Sequence, residues 1–184
     1  MPKDPVVQAG DPVLYKIAKP LSKKDIASRK VQVLLKRMSA ILQKEGFGVA
    51  IAAPQVGESL QIFVVGGKVF DTEEEGASVP PDKIFINPEL IRVSKSKKEM
   101  AEGCLSVRNT YGAVMRHEKA SVKALNEKGE AFIYHGSGLI GQIFQHEVDH
   151  LNGILYIDKA KEVVDDEEWV ELKAKRAAQK HDRA

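Results

Sequence analysis

The segment Gly138–Asn152 has the sequence GLIGQIFQHEVDHLN. It is apolar on nearly every side, and Gly153 follows at the position where a glycine commonly ends a helix. An apolar helix of this kind is expected in the middle of a fold, covered by other elements. The ionisable side chains within it, above all His146, Glu147 and His150, therefore need a chemical reason to be buried.

The spacing of the two histidines provides that reason. Because His146 and His150 are four residues apart, they project from one face of the helix, about 40° apart, and both can reach one ion. In the HExxH motif the imidazoles bind a divalent metal, and the glutamate, here Glu147, takes a proton from the attacking water. The alternative is a pair of histidines that hydrogen bonds satisfy within the core. We predict the metal site, because burying two imidazoles and a carboxylate without a partner is costly.

A hydrolytic metal site needs a third protein ligand and an open position. The metallopeptidase pattern HExxHxxGxxH has its third histidine where this chain has Tyr156. Glu167 and Glu168 follow downstream, but they begin a predicted helix, where carboxylates ordinarily interact with the helix dipole. Cys104, the only cysteine, lies in Glu102–Ser106 (EGCLS) and is the better candidate; its alternative role is that of an ordinary buried thiol.

A third segment, Gly48–Gly57 (GVAIAAPQVG), combines small residues with one polar amide. Small side chains let the main chain of a peptide come close, and Gln55 could donate a hydrogen bond to a developing oxyanion. Taken alone, the segment is equally typical of a tightly packed turn before a strand that begins at Leu60.

Length and composition narrow the class of protein. A chain of 184 residues with 43% hydrophobic and 29% charged residues predicts one folded domain over residues 1–184 and excludes a disordered or fibrous chain. The net charge of +2 gives no argument for a nucleic-acid or membrane surface, so we expect neither DNA nor a membrane as a partner. One cysteine, no apolar run of membrane-spanning length and no leader-like N-terminus predict a cytoplasmic protein.

Local patterns predict an α+β fold in which antiparallel β-sheets surround the central buried HExxH helix, with an N-terminal amphipathic helix and a C-terminal helix. Ser22 and Asp25 resemble a capping box that opens the N-terminal helix, predicted over residues 23–44. Acidic residues from Asp165 open the C-terminal helix, predicted to about residue 178 within residues 162–184. The other predicted elements are a strand at Leu60–Val65, one or two strands within Ile84–Ser94 with an interruption at Asn87 and Pro88, a surface loop at Gly66–Asp82, and a hairpin of Val114–Leu125 with Ala131–Tyr134.

The segments GVAIAAPQVG, EGCLS and QHEVDH occur in the order found in the peptide deformylase family, which the chain resembles over roughly residues 6–160. The resemblance implies a metal-dependent hydrolase that removes the N-terminal formyl group from formyl-methionyl nascent polypeptides and releases formate. Two alternative functions belong to other classes of protein. One is a zincin-type metallopeptidase, which Tyr156 disfavours; the other is a deformylase-like protein that binds peptides or ribosomes without turnover.

By the same resemblance, Cys104, His146 and His150 bind the metal, and water holds the fourth position. Glu147 acts as general base and afterwards as general acid. Fe(2+) is the usual physiological metal of the family, and zinc or nickel can take its place. The softness of the ligands alone would also permit zinc or cobalt.

The resemblance also implies how the substrate is held. The Gln55 side chain and the Leu105 backbone N–H hold the formyl oxygen. Val49 and Ala50 pair with the peptide main chain as an edge strand does. The family usually has a glycine where Ala50 stands, so the added methyl group could narrow the groove.

Three further features concern specificity and partners. Leu139 and Ile143 share the helix face of His146, which predicts a wall of the pocket for the methionine side chain; ordinary core packing is the alternative for either residue. Arg108 stands where a proline is common in the family. Residues 171–184 carry five basic residues against two acids, which predicts either a solvated helix end or a surface that docks on ribosomal RNA.

Overall fold

The computed structural model describes residues 5–70 and 78–172. Strands β1 to β8 are, in chain order, Ala50–Ala52, Ile62–Val65, Lys83–Val93, Lys97–Cys104, Val107–His117, Lys119–Leu125, Ala131–Ser137 and Val163–Asp165. The helices are α1 (Lys23–Ile26), α2 (Arg29–Lys44), α3 (Gly138–Leu151) and α4, described over residues 166–172. None of the described helices combines the length and the apolar character that crossing a membrane requires.

The strands form two sheets around α3. The five-stranded sheet has the order β1-β2-β3-β6-β7, and the three-stranded sheet has the order β4-β5-β8. The paired strands in both sheets are antiparallel. Because α3 contacts strands of both sheets, the predicted α+β class with antiparallel sheets and a central helix is confirmed.

The five-stranded sheet has two apolar faces, because side chains alternate along its strands. One face, which includes Ile51 and Val64, packs against α2. The other face packs against α3 through an aromatic cluster. Phe63 and Phe85 stack with their ring centroids 4.5 Å apart, and the Phe144 ring of α3 lies 5.2 Å from the Phe85 ring. This cluster covers the helix, as its apolar sequence predicts.

The N-terminal helix differs from its prediction, since residues 23–44 form two helices rather than one. Ser22 and Asp25 form the predicted capping box, but it opens only the single turn of α1. Ser28 then has an extended backbone; its hydroxyl donates to Asp25 O at 2.6 Å and accepts from Val31 N–H at 3.3 Å. Because the serine hydroxyl bonds both the Asp25 carbonyl and the Val31 N–H, it replaces helical hydrogen bonds at this point. The first helix therefore ends, and α2 begins after Ser28 as its N-cap.

The strand predictions are largely confirmed. Leu60–Val65 contains β2, and Ile84–Ser94 corresponds to one strand, β3, whose register is irregular around Asn87. The predicted hairpin is formed by β6 and β7. Its first arm is shorter than predicted, because residues 114–117 belong to β5 in the other sheet. Alternation of apolar residues continues across this boundary and therefore does not reveal it.

Two predicted segments extend beyond the described residues. In the predicted loop Gly66–Asp82, Gly67–Phe70 forms a 3₁₀ helix, and residues 71–77 lie outside the described ranges. The C-terminal helix is present over residues 166–172, and the basic tail from residue 173 onward lies outside the described ranges. The preceding strand, β8, pairs with β5 and so brings this end of the chain to the hairpin of β4 and β5.

Candidate active site

The three predicted metal ligands lie together where α3 faces the hairpin of β4 and β5. Cys104 is the last residue of β4, and its Sγ atom lies 3.2 Å from Nε2 of His150. One possible ligand atom from each of Cys104, His146 and His150 lies within 4.8 Å of the others. Within residues 5–70 and 78–172, this is the one group of three His, Cys, Asp or Glu side chains compact enough to hold an ion. One thiolate and two imidazoles suit a divalent transition metal.

The thiol of Cys104 is predisposed to bind a cation. Burial alone would raise its pKa, but the nearby imidazoles of His150 and His146 outweigh burial and lower the pKa to about 5. The Ser106 N–H and the Gln55 side-chain amide also donate toward its sulfur, each at 3.4 Å. Cys104 is therefore a thiolate at neutral pH, the form that binds metals.

Glu147 lies beside the ligands and lines the same cavity. Only 3% of its surface is exposed, and burial raises the pKa of its carboxyl group to about 7. Its Oε2 atom has no hydrogen-bond partner among the described residues. A buried carboxyl group with a pKa near neutrality and an unpaired oxygen can take up a proton and return it, as general acid–base catalysis requires.

Gln55 reaches the cluster from the 3₁₀ helix Ala53–Val56. Its Oε1 atom accepts a hydrogen bond from Ala52 N–H at 2.8 Å, which directs its Nε2 atom toward Cys104 Sγ at 3.4 Å. Leu105 follows the cysteine in the turn between β4 and β5 and also borders the cavity. Both predicted oxyanion donors therefore lie next to a predicted metal ligand.

A cavity of about 340 Å³ opens at this cluster. The four predicted substrate residues, Val49, Ala50, Leu139 and Ile143, all line it. Ala50 and Ile143 are buried, whereas Leu139 is 53% exposed. The strand that begins at Ala50, β1, is an edge of the five-stranded sheet, a position from which a main chain can pair with an extended peptide.

Comparison with known proteins identifies the family. The family model described as polypeptide deformylase matches residues 3–166. The chain belongs to the peptide deformylase family. This deformylase is 42% identical over 159 residues to the peptide deformylase of Carboxydothermus hydrogenoformans, and the match covers 86% of this chain and 94% of that protein.

Solved structures of relatives have the same fold. The actinonin-bound class I type b peptide deformylase of Acinetobacter baumannii is 34% identical, with a TM-score of 0.74 and coverage of 85% of this chain and 97% of that one. The Met-Ala-Ser-bound structure of the same enzyme is 35% identical, with a TM-score of 0.75 and coverage of 84% and 96%. The deformylase described here is thus a metal-dependent hydrolase that removes the N-terminal formyl group from formyl-methionyl polypeptides and releases formate.

The deformylase contains a buried ion network behind His146 that the sequence reasoning missed. The Nδ1 atom of His146 donates to Glu102 at 2.9 Å, and Arg116 donates to both oxygens of the same carboxylate at 2.7 and 2.9 Å. Arg116 also donates to Asp149 at 2.6 Å. Because Nδ1 of His146 is engaged by Glu102, the other ring nitrogen is the one left for an ion.

The carboxylate of Glu102 is held in its ionised form. Burial alone would raise its pKa, but hydrogen bonds from Arg116 and His146 outweigh burial and lower the pKa to about 2. The sequence contained one usable signal for this network. Glu102 lies two residues before the cysteine and Asp149 lies within the apolar helix, and an acid that is buried in such a segment needs a cationic partner.

Tyr156 has a structural role at the position where the metallopeptidase pattern has its third histidine. It is 1% exposed, and its hydroxyl donates to the backbone oxygen of Thr110 at 3.0 Å. Its ring stacks against that of His146, with centroids 6.3 Å apart. Tyr156 therefore links β5 to the helix that carries the two histidines.

An ion pair lies at the cavity on the side of α2. Arg108, near the start of β5, donates to both carboxylate oxygens of Glu45 at 3.1 and 3.3 Å. Glu45 is the C-cap residue that follows α2, and both side chains line the cavity. The arginine that departs from the family pattern thus ties β5 to α2 beside the predicted substrate residues.

Proposed function

We propose that Cys104, His146 and His150 hold one divalent metal ion in this deformylase and that Glu147 carries the proton during hydrolysis. The observation that carries this proposal is the meeting of three ligand atoms within 4.8 Å beside a buried carboxylate oxygen that no described residue hydrogen-bonds. A bound ion would polarise the formyl carbonyl group and lower the pKa of water.

Fe(2+) is the physiological metal in this proposal, as the family resemblance implies. Zinc, nickel or cobalt can occupy the same ligands, because a thiolate and two imidazoles bind each of these ions. The low pKa of the Cys104 thiol, about 5, supports binding of any of them at neutral pH.

Glu147 accepts the proton of the attacking water and then delivers it to the leaving amine. Burial raises the pKa of this carboxyl group to about 7, which supports both steps, because a group that titrates near neutrality can both accept and release a proton. Its side chain is buried in the cavity wall, which holds the carboxyl group in position for both transfers.

Gln55 and Leu105 stabilise the formyl oxygen as it becomes an oxyanion. The hydrogen bond from Ala52 fixes the Gln55 amide before substrate arrives, so its donor needs no reorganisation during the reaction. The Leu105 N–H directly follows the metal ligand Cys104 in the chain, and Gln55 Nε2 lies 3.4 Å from Cys104 Sγ, so both donors are close to the proposed metal site.

The substrate main chain pairs with Val49 and Ala50, and the methionine side chain lies against Leu139 and Ile143. The edge position of β1 and the shared cavity support this arrangement. The Met-Ala-Ser complex of the Acinetobacter baumannii relative supports a peptide in the cavity. Because Ala50 is only 7% exposed, its methyl group takes up little of the groove.

Residues 1–184 form one catalytic domain that acts in the cytoplasm on chains leaving the ribosome, in this proposal. The five basic residues of residues 171–184 support a contact with ribosomal RNA. Truncation after Leu172 should weaken co-sedimentation with ribosomes at low salt. Unchanged co-sedimentation of the truncated protein would contradict the ribosome contact.

Formate release tests the proposal as a whole. Anaerobically prepared, Fe(2+)-loaded protein should release formate from formyl-Met-Ala-Ser, and the Glu147→Gln variant with the same metal content is the matched control. Cleaved peptide bonds would indicate a peptidase instead. Binding of the peptide without formate release would indicate a binding protein.

A further inference from the structure

The C-terminal helix reaches the substrate cavity through one pair of aromatic rings. The Trp169 ring of α4 stacks on the Tyr111 ring of β5, with centroids 5.3 Å apart and planes 13° apart. Only 6% of Trp169 is exposed, although it belongs to α4, whose described residues, 166–172, are the last of the described range. Tyr111 of β5 pairs with Val164 of β8, the strand that precedes α4, and this pairing fixes the register between β5 and the end of the described chain.

The Tyr111 ring is in turn packed against the backbone that carries the cysteine. A methyl group added at Gly103 would lie 3.0 Å from two atoms of the Tyr111 ring, so the glycine permits this close approach. Gly103 directly precedes Cys104, and both Gly103 and Tyr111 line the cavity. The ring of Tyr111 therefore forms part of the cavity wall and contacts Trp169 on the side of α4.

We propose that Trp169 is a positioning residue that holds the Tyr111 ring in the wall of the peptide groove and so sets the affinity for the peptide. This inference rests on the proposed function, because it assumes that the peptide occupies this cavity. Loss of the stack frees the Tyr111 side chain to move and loosens that wall. The metal ligand His146 is held separately, by Glu102, which Arg116 holds in turn, so the chemical step should change little.

The stack acts on binding rather than on catalysis, and a mutant cycle can separate the two. Trp169→Leu and Tyr111→Leu should each raise KM for formyl-Met-Ala-Ser about three- to tenfold, the fold-change that an aromatic pair provides. The turnover number should stay within about twofold of the wild type, and the effects in the double variant should not add. Trp169→Phe keeps a ring in the stack and should restore most of the affinity.

Val170→Ala is the matched control, because Val170 is the next residue of α4 and is 66% exposed. It should leave KM unchanged. The inference is overturned if Trp169→Leu keeps the wild-type KM, if the two leucine substitutions add independently, or if turnover falls while KM is constant. Metal content and thermal unfolding of each variant show whether a change is confined to the groove.

A second measurement needs no substitution in Trp169. Trp169 is the only tryptophan of the chain, so fluorescence that is excited selectively at tryptophan reports on the surroundings of this ring. Titration with the product peptide Met-Ala-Ser should change the emission and saturate at the concentration at which the peptide inhibits formate release. Tyr111→Leu should remove most of this change. A titration without any emission change, while inhibition is complete, would overturn the inference.

The two proposals fail in different ways. Wild-type protein that releases no formate contradicts the proposed function. Wild-type protein that releases formate with a KM unaffected by Trp169→Leu contradicts only the role of Trp169.

Discussion

Glu102 accepts a hydrogen bond from His146 Nδ1 at 2.9 Å while its two oxygens also accept from Arg116. The side chains of Glu102 and Arg116 are 2% and 4% exposed, so this contact is shielded from solvent. Asp149 extends the network to Lys159 at the surface, with an N–O distance of 2.6 Å. The predicted metal ligand His146 is thus oriented by a network of charged side chains that belong to β4, β5 and α3.

Removing the cation of this network should destabilise the fold. Arg116→Met leaves the buried carboxylate of Glu102 without its arginine partner and removes one of the two cations that contact Asp149, which costs about 3 to 5 kcal/mol of the free energy of unfolding. Urea denaturation measures this loss. The exposed Arg92→Met is the matched control and should change stability by less than about 0.5 kcal/mol. Equal stability of the two variants would contradict a structural role for the network.

Neutralising Glu102 should weaken metal binding. In Glu102→Gln the side chain keeps its size, but it no longer offers a charged acceptor to His146, so metal affinity should fall about 10- to 100-fold. Competition with a chelator measures the affinity. Glu99→Gln, in the same strand and exposed, is the control, and its affinity should match the wild type.

The three proposed ligands should behave as one class. Cys104→Ala, His146→Ala and His150→Ala should each lose bound metal, because two remaining protein ligands provide too little affinity and no fixed geometry. Elemental analysis after gel filtration measures the stoichiometry. If one of these variants retained a full equivalent of metal, the residue substituted in it would not be a metal ligand.

The Glu147→Gln variant should differ from the three ligand variants in the same assay. Glu147→Gln keeps the size of the side chain but cannot accept a proton, so metal content should stay at the wild-type level. The turnover number should fall by about 10²- to 10⁴-fold, which corresponds to roughly 3 to 5 kcal/mol of transition-state stabilisation. Near-normal turnover with full metal content would show that another group carries the proton.

The identity of the bound metal should determine whether the enzyme loses activity in air. An iron-loaded preparation should lose activity on aeration, because the Cys104 thiolate lies beside a redox-active ion, whereas zinc has no redox chemistry. Activity of iron, nickel and zinc preparations is followed over time in air and under argon. We expect the nickel and zinc forms to keep their activity; equal loss in all three would contradict the proposed cause.

Patterns within single segments were enough to predict several features. The apolar run of α3 and the four-residue spacing of its histidines depend only on helical periodicity, and both the helix and the meeting of His146 with His150 follow. The β6–β7 hairpin follows in the same way from a turn between alternating residues. The approach of Cys104 was inferred from its neighbouring residues and from the family resemblance, since nothing local relates β4 to α3.

Contacts between distant segments were decided only by the tertiary structure. Arg116 meets Asp149 across 33 residues, and His146 meets Glu102 across 44. Which acid faces which cation depends on the register of β4 against β5 and on how α3 lies across them, and neither is encoded in a local pattern. The same holds for the Trp169–Tyr111 stack, which exists because β8 pairs with β5. Periodicity determines which face of an element is apolar, whereas packing determines which residues of other elements meet it.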